Sequence, residues 1–432
     1  MGTGALIMHI FAHSRYKIPA HPYFISEMTK KQQQVLIVIL GFIAALGPFS
    51  IDMYLPGFPA IAEDLKTDDA HVSLTLTTYF IGISVGQLVY GPLLDRFGRK
   101  KPLLTGLAIY ALAAIGCALS PNIWWLIGMR LILALGGCAG MVAYSAIIRD
   151  RFPVDEVARA FSSILLVMGV APVLAPTLGG IFTSAFGWRS IFVFLFVIAL
   201  ILMVVIRFFL EESKGQDREV SLRPEKITGN YISVLSNKDF LLYGLSGSIA
   251  MAIMFAYVSG IPFVLMKLYG VSESTFGWMF GMNAFGFIAG SQLNRYLLNR
   301  FDVVELTRKT SLIQLVLTVI FLIGVWRFEL PLPVFAGLLF CILFLLGFIN
   351  PNSTALSLRP FSNNIGSASA MNGSFKMGAG AAISALMGIM HDGTNFPMVL
   401  LIFLMSFISF MLLLATGKSP RKALRFRKKA YE

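Results

Sequence analysis

Charged residues are scarce in this sequence. Only 13% of its 432 residues are Asp, Glu, Lys or Arg, whereas about a quarter is usual in a soluble protein. This scarcity excludes an ordinary water-soluble globular protein. Hydrophobic residues make up 56% of the chain, and the mean hydropathy is +0.76. They cluster into runs of about 20, the length that a helix needs to cross about 30 Å of hydrocarbon. The composition therefore predicts an all-α polytopic membrane protein.

Cysteine and histidine are scarce as well, which limits the chemistry available. The three cysteines lie in apolar runs without CxxC or CxxH spacing, so they indicate packing and neither a disulfide nor a metal site. The five histidines lie in the N-terminal leader or in loops. The segment GISVG (82–86) fits the G-x-S-x-G hydrolase pattern, but it has no strand-turn-helix context. No phosphate-binding loop, HExxH or zinc spacing is present, so we expect no cofactor, no metal and no enzymatic activity.

Apolar runs predict twelve transmembrane helices, and the polar segment 211–239 divides them into six and six. The expected organisation is a cytoplasmic leader (1–32), a six-helix bundle (33–210), a central cytoplasmic loop (211–239), a second bundle (240–416) and a basic cytoplasmic tail (417–432). The predicted helices are 33–55, 72–94, 102–120, 123–147, 158–182, 188–210, 240–266, 274–297, 306–326, 332–356, 365–390 and 395–416. The leader is not a convincing signal peptide, and Met28 is an alternative start.

The basic residues lie almost entirely on one side of this predicted topology. With a cytoplasmic N-terminus, 29 of the 35 Lys and Arg fall on the cytoplasmic side. The opposite side receives four, Lys66, Arg189, Lys267 and Arg327, and the remaining two lie inside helices. This bias follows the positive-inside rule and explains the net charge of +13 without a nucleic-acid partner. Both termini are then cytoplasmic, and the basic tail would lie against anionic lipid.

The two predicted bundles carry a common stretch of sequence. Residues 82–97, GISVGQLVYGPLLDRF, match residues 286–301, GFIAGSQLNRYLLNRF, at six of sixteen positions, including two glycines four residues apart. Both stretches form the second helix of a half, which indicates parallel repeats with a substrate site between them. The alternative is two unrelated GxxxG packing seams. The second copy carries Asn299 in place of Asp95 and lacks the following GRKK.

Several motifs resemble those of the major facilitator superfamily, specifically its drug:proton antiporters of the bicyclomycin/chloramphenicol-resistance type. They are GPLLDRFGRKK (91–101), IGMRLILALGGCAG (127–140), GVAPVLAPTLGG (169–180), IDMYLPGFPAIAEDL (51–65) and GSASAMNGSFK (366–376). The resemblance runs in the expected order from the first helix to the eleventh. It departs at Leu133, where a glutamine is common, and at Lys376, where many relatives have an uncharged polar residue.

The fifth-helix motif contains the small residues and prolines of an antiporter motif in the resembling proteins, where its bend blocks leak between conformations. Glycine permits close helix contact, and each proline frees a carbonyl and bends the helix. A kinked packing helix without a functional role is the plainer alternative. The residues of interest are Gly169, Pro172, Pro176, Gly179 and Gly180.

Asp52 is the only acidic residue inside the twelve runs, and an acid in a membrane span is by default a functional candidate. The alternative is that the first helix ends earlier and Asp52 caps a loop. Asp52 lies roughly 5 Å and Arg130 roughly 10 Å from the same membrane face, at 1.5 Å per helical residue. The similar depth predicts an ion pair across the cavity, in which Asp52 takes up the proton and Arg130 tunes its affinity.

Lys376 lies about 16 Å into the eleventh helix, near the midplane, with no acid of its own half available to pair with it. Three roles stay open: a second titrating group, a contact for anionic substrate groups, or a snorkelling lysine. Polar and aromatic residues that we expect in the substrate cavity are Tyr54, Tyr257, Asn283 and Asn372, although each is also a common packing residue.

Asp95 lies at the C-terminal end of the second helix, where the helix dipole disfavours an acid. We expect it to gain by meeting the N-terminal end of the eleventh helix, which starts on the same face. With Arg96 and Arg99 nearby, Asp95 would latch the cytoplasmic face shut in the outward-open state, and Gly91 would let the helices approach.

The sequence and the resemblance together predict a proton-coupled exporter of small, structurally diverse drugs or toxic compounds. It would act as a monomer in the bacterial inner membrane, with drug-like molecules, protons and membrane lipid as its partners, by rocking two bundles about a central cavity. The alternative is a related carrier that exports one metabolite or imports it by proton symport.

Overall fold

The computed structural model describes residues 29–152, 154–217, 222–361 and 365–416, and the regular structure in these ranges is helical. Residues 1–28 of the leader, the basic tail and the expected positions of both termini lie outside the described residues, and α1 begins within the last residues assigned to the leader. The helices are α1 (Lys30–Asp52), α2 (Phe58–Asp64), α3 (Asp69–Phe97), α4 (Lys100–Ala118), α5 (Ile123–Arg151), α6 (Val154–Phe186), α7 (Arg189–Phe209), α8 (Pro224–Leu235), α9 (Lys238–Pro262), α10 (Glu273–Leu297), α11 (Val303–Arg327), α12 (Leu332–Leu358), α13 (Ile365–Ile389) and α14 (Phe396–Ala415). A short 3₁₀ turn, Leu55–Gly57, follows α1, and a π turn, Phe263–Leu268, follows α9.

The all-helical class is confirmed, and each predicted apolar run coincides with one long helix to within four residues at either end. Polar side chains mark several helix starts: Asp68 accepts from the backbone of His71 at 2.8 Å, and Asn122 accepts from that of Trp125 at 2.9 Å. Nine of the described helical segments are long and apolar enough to cross a membrane. The twelve-span topology stays a prediction.

The long helices form two halves with the same packing pattern. The N-terminal half comprises α1 to α7, and the C-terminal half comprises α9 to α14. In each half the second long helix packs on the fourth (α3 on α5, α10 on α12), and the first packs on the fifth (α1 on α6, α9 on α13). The halves meet through two matching contacts, α3 with α13 and α6 with α10. This pattern is what two parallel repeats would produce.

The shared glycines form the second-to-fourth helix contact in both halves. A Cβ atom on Gly82 would lie 2.6 Å from the Ala134 side chain, and one on Gly286 would lie 2.8 Å from the ring of Phe340. Gly290 leaves no room for a side chain against the backbone of Phe344. The repeated GxxxG pattern is therefore a packing seam, and it is the same seam in each half.

The central segment contains a helix that the sequence analysis treated as loop. Helix α8 begins at Pro224, and its Val234 is buried against the C-terminal half. The Tyr231 hydroxyl donates to the carbonyl oxygen of Leu88 on α3 at 2.9 Å. Helix α8 thus packs against both halves.

Candidate functional site

The two ends of the bundle differ in charge: Arg96, Arg99, Lys100 and Lys101 cluster at the α3–α4 turn, whereas Lys66 is the one basic residue between α2 and α3 at the other end. We call the end with the α3–α4 turn and helix α8 the basic end, and the other the opposite end. At the basic end, Arg99 donates from Nε to Asp150 at 2.7 Å, and its backbone N–H donates to Glu212 at 2.6 Å. At the opposite end, Arg189 pairs with Asp64 and also donates to the carbonyl oxygen of Ser120 at 3.1 Å.

The opposite end is closed between the halves. Lys267 of the π turn donates to Asp69 at the start of α3 with an Nζ–Oδ2 distance of 2.6 Å. One turn further along α3, the carbonyl oxygen of Ser73 accepts from the Ser384 hydroxyl of α13 at 3.4 Å. A Cβ atom on Gly388 would lie 3.3 Å from the carbonyl oxygen of Ala70. Helices α3 and α13 are therefore in contact from their outer ends inward.

The contact between α3 and α13 ends near the middle of the molecule. Ser84 donates to the carbonyl oxygen of Ser374 at 2.8 Å, and Gly373 packs so closely on the Gln87 side chain that no Cβ atom fits. One turn nearer the basic end, a Cβ atom on Gly91 would meet nothing within 4 Å. The two helices have separated by this point.

A cavity of about 610 Å³ fills the space between the separated helices. It lies between the two halves and reaches the basic end, where its lining residues Arg149, Asn230 and Gly366 are exposed. Gln87, Asn372 and Lys376 lie at its inner part. Its volume is within the range of small-molecule sites, about 300–1,000 Å³.

Of the residues predicted for the substrate cavity, Lys376 and Asn372 line this cavity. The Lys376 ammonium donates to the Thr354 hydroxyl of α12 at 2.7 Å, and no carboxylate of the described chain lies within 4.0 Å of it. Asn372 is 4% exposed, and its Oδ1 atom has no hydrogen-bond partner.

Three other residues predicted for the cavity do not line it. Tyr54 is fully buried inside the N-terminal half, where its hydroxyl accepts from Thr75 at 3.0 Å. Tyr257 is buried in the C-terminal half and accepts from Asn283 at 3.2 Å. The prediction was wrong for Tyr54, Tyr257 and Asn283 in this conformation, because the helix phase turns them towards neighbouring helices and not towards the cavity.

Asp52 is the last residue of α1 and is 7% exposed. The helix ends three residues before the predicted position, and the chain continues through the 3₁₀ turn into α2. The following 3₁₀ turn packs on α6 of its own half and on α9 and α10 of the other half. Asp52 is thus buried near the contact between the halves and does not line the cavity.

The predicted ion pair between Asp52 and Arg130 is absent, although both residues are described. Arg130 reaches the last turn of α1 but donates from Nη1 to the backbone carbonyl oxygen of Ser50, at 2.8 Å. Its guanidinium carbon lies 4.5 Å from the ring centre of Tyr54 and 4.4 Å from that of Tyr79. Its Nε and Nη2 atoms have no hydrogen-bond partner. Aromatic faces and a carbonyl therefore stabilise this fully buried cation.

The residues predicted to latch the basic end are instead joined to one another within the N-terminal half. Asp95 accepts from Arg99 at 2.7 Å and lies 3.8 Å from Lys214. Arg96 donates to the carbonyl oxygen of Asp217 at 3.4 Å. Neither Asp95 nor Arg99 forms an ion pair with a residue of α13 in the described part of the chain. The expected role of Gly91 in close helix contact is likewise not seen, because Gly91 faces the cavity.

The fifth-helix motif lies in the middle of α6. Gly179 packs directly on the backbone carbonyl of Met53, the residue after Asp52, and leaves no room for a Cβ atom. Pro176 and Gly180 are buried, and α6 continues through the motif to Phe186. The surroundings of Gly169 and Pro172 lie outside the described residues.

Sequence reasoning missed the residues that form the mouth of the cavity. Tyr144 and Arg149 on α5, with Ile227 and Tyr231 on α8, line it. The helical spacing of Ile227, Tyr231 and Val234 was the available signal for an amphipathic helix. No comparable signal marks Tyr144.

Comparisons with known proteins agree with this architecture. The model of the Major Facilitator Superfamily matches residues 40–385. The chain is 34% identical to an uncharacterized MFS-type transporter, YdgK, of Bacillus subtilis (strain 168), over 88% of this chain and 94% of the relative. It is 30% identical to a bicyclomycin resistance protein homolog of Haemophilus influenzae, over 86% and 93%.

The fold also matches a solved structure. A bacterial homolog of the human lysosomal transporter Spinster, crystallised in an inward-facing and unoccupied conformation, superposes with a TM-score of 0.72 at 16% identity, covering 91% of this chain and 100% of that one. The chain therefore belongs to the major facilitator superfamily, and it is a membrane transporter and not an enzyme.

Proposed function

We propose that this transporter exports small, structurally diverse toxic compounds from bacteria in exchange for protons. The observation that carries the proposal is the cavity of about 610 Å³ between the halves, which reaches the basic end while the opposite end is closed. Such an arrangement suits a carrier that collects its substrate on one side of a membrane and releases it on the other. The drug-resistance names of several relatives support a drug-like substrate.

The basic end faces the cytoplasm in this proposal, because positive charge accumulates on the cytoplasmic side of inner-membrane proteins. The structure then corresponds to an inward-open state. Transport would proceed by rocking the halves about the α3–α13 and α6–α10 contacts, so that the Asp69–Lys267 pair breaks as the cavity closes on its cytoplasmic side.

Proton coupling is assigned to Asp52 and Arg130. Arg130 has two nitrogen atoms without hydrogen-bond partners, and Asp52 is buried one turn from the contact between the halves. An ionised Asp52 would be drawn to these free donors, whereas a protonated Asp52 would not. Because the 3₁₀ turn after Asp52 touches both halves, this local change would bias their relative position.

The route of the proton follows from burial. Asp52 does not line the inward-open cavity, so we propose that it is loaded when the opposite end opens. Proton release to the cytoplasm would then require a rearrangement that exposes Asp52 to the cavity, in which Arg130 leaves the Ser50 carbonyl and pairs with the ionised carboxylate. In the outward-open state, Asp95 would leave Arg99 and approach the N-terminus of α13, closing the cytoplasmic side.

The proposal is tested by substrate-induced proton movement in energised everted vesicles. A panel of unrelated drugs and of single metabolites is added in turn, and vesicles without the protein serve as the blank. Proton release with several unrelated drugs supports polyspecific antiport. A response to one metabolite alone, or to no drug, overturns it in favour of a dedicated carrier.

A further inference from the structure

We propose that Lys376 binds an anionic group of the substrate, so that the cavity accepts acidic and neutral compounds in preference to cations. This inference rests on the proposed function only in taking the cavity between the halves as the substrate site. It names the class of compound that this site selects.

The Lys376 ammonium is an incompletely paired cation at the inner part of the cavity. It has three donors, and the structure gives it one protein partner, the hydroxyl of Thr354 at 2.7 Å. A neutral hydroxyl satisfies a hydrogen bond but does not balance the charge. No carboxylate of the described chain is within 4.0 Å, so an anionic ligand in the cavity can supply the counter-charge that the described chain does not.

A second polar residue lies beside Lys376 but is turned away from the ligand position. Asn372 lies one helical turn before Lys376, so the two residues share a face of α13, and both line the cavity. The Asn372 side chain is 4% exposed, and its buried Oδ1 atom lies against Gly244 of α9. Lys376 is partly exposed, so it is the polar side chain of this face that a ligand in the cavity can reach.

The remaining charges of the cavity favour the same class. Asp95 is the only acidic residue among the described lining residues, and it is already paired with Arg99 and near Lys214. Arg149, also in the lining, donates to the carbonyl oxygen of Ser145 at 3.2 Å and has no acidic partner in the described chain. The charged residues of the described lining therefore sum to a net positive charge, and the low-dielectric protein walls weaken the screening of that charge.

Three fluorescent probes that share the dansyl group test this inference on the purified full-length protein in nanodiscs. Dansylglycine is an anion, its methyl ester is neutral and dansylcadaverine is a cation. Binding is followed by dansyl emission, with empty nanodiscs subtracted. We expect dansylglycine to bind about tenfold more tightly than dansylcadaverine, as is usual for a hydrogen bond to a charged group.

Variants of Lys376 test whether this residue causes the preference for the anionic probe. Lys376→Met should weaken dansylglycine binding about tenfold and leave the ester within about threefold, whereas Lys376→Arg should keep the preference for the anion. Lys309→Met, which removes an exposed lysine paired with Glu305 outside the cavity, is the matched control. Lys376→Gln provides a second neutral variant if Lys376→Met does not fold. Equal binding of the cation by the wild type, or equal losses for anion and ester in Lys376→Met, would overturn the inference.

The binding assay needs neither a proton gradient nor transport, which separates this inference from the proposed function. Charge-selective binding through Lys376 without any drug-linked proton movement would leave the inference standing and defeat drug–proton antiport. Drug-linked proton movement without charge-selective binding would support drug–proton antiport and overturn the role inferred for Lys376.

Discussion

Asp69 and Lys267 join the two halves of the transporter at the opposite end, with an Nζ–Oδ2 distance of 2.6 Å. Asp69 begins α3, and Lys267 lies in the π turn after α9, so this ion pair connects elements that belong to different repeats. The Asp69 side chain is 16% exposed and the Lys267 side chain 44%. The pair stabilises the conformation in which this end is closed.

Asp69→Asn should shift the conformational equilibrium towards the state that is open at the opposite end. For a partly exposed pair we expect about 0.4–1 kcal/mol, a two- to fivefold change in population. Spin labels on the exposed residues Glu63 and Thr394 report the distance between the halves by double electron–electron resonance. The exposed Cys341 is replaced by Ser in all variants, since Cys117 and Cys138 are buried.

The double variant that exchanges the two charges, Asp69→Lys with Lys267→Asp, is the matched control. It should restore most of the wild-type distance distribution, because the attraction is preserved. A distribution in Asp69→Asn that equals the wild type would show that the pair does not hold the end closed.

Gly179→Ala should destabilise the protein by about 1–3 kcal/mol, because the new methyl group has no space against the carbonyl of Met53. Gly91→Ala is the matched comparison in another long helix. A Cβ atom there meets nothing within 4 Å, so its stability should be equal to the wild type or higher by about 0.5–1 kcal/mol. Thermal unfolding in detergent measures both.

A transport assay tests whether Gly91 has a role in the transport cycle apart from stability. If the cytoplasmic side closes at Gly91, Gly91→Ala should slow transport without loss of stability. Normal transport by Gly91→Ala would exclude a close helix contact at this position in any step of the cycle.

Asp150→Asn should lower thermal stability more than Asp95→Asn does. Arg99 is 6% exposed, and Asp150 accepts from its Nε atom and from the Ser213 hydroxyl. Loss of that carboxylate should cost about 1–3 kcal/mol, as expected for a buried hydrogen bond to a charged group. Asp95 is 49% exposed, so its removal should change stability by less than about 1 kcal/mol. The reverse order would mean that Asp95 is the main anchor of Arg99.

The positions of the helices follow from the sequence because a membrane span requires a long apolar run, and such runs are read directly. The depth of Arg130 was also predictable, since it does reach the last turn of α1. Its partner was not, because a backbone carbonyl and two aromatic rings compete with Asp52 for the guanidinium. The carbonyl and the rings are uncharged, so matching Arg130 with acidic residues in the sequence does not identify them as its partners.

The lining of the cavity was predicted only in part. Lys376 and Asn372 line the cavity, whereas Asn283 donates a hydrogen bond to Tyr257 inside the C-terminal half. Whether a polar residue in a span faces a cavity or a neighbouring helix depends on the rotation of that helix, which apolar length does not encode. The latch predicted for Asp95 is a property of another conformation, so this structure leaves it as a proposal.

Asp52→Asn provides the most direct test of the coupling proposed for this transporter. Reconstituted vesicles are assayed in two ways: substrate exchange at equal pH, and substrate-induced proton movement under a pH gradient. Asp64→Asn is the matched control, because Asp64 pairs with Arg189 in the same half but is partly exposed. We expect Asp52→Asn to keep exchange and to lose proton movement, and Asp64→Asn to keep both. Proton movement that persists in Asp52→Asn would contradict the assignment of proton coupling to this residue.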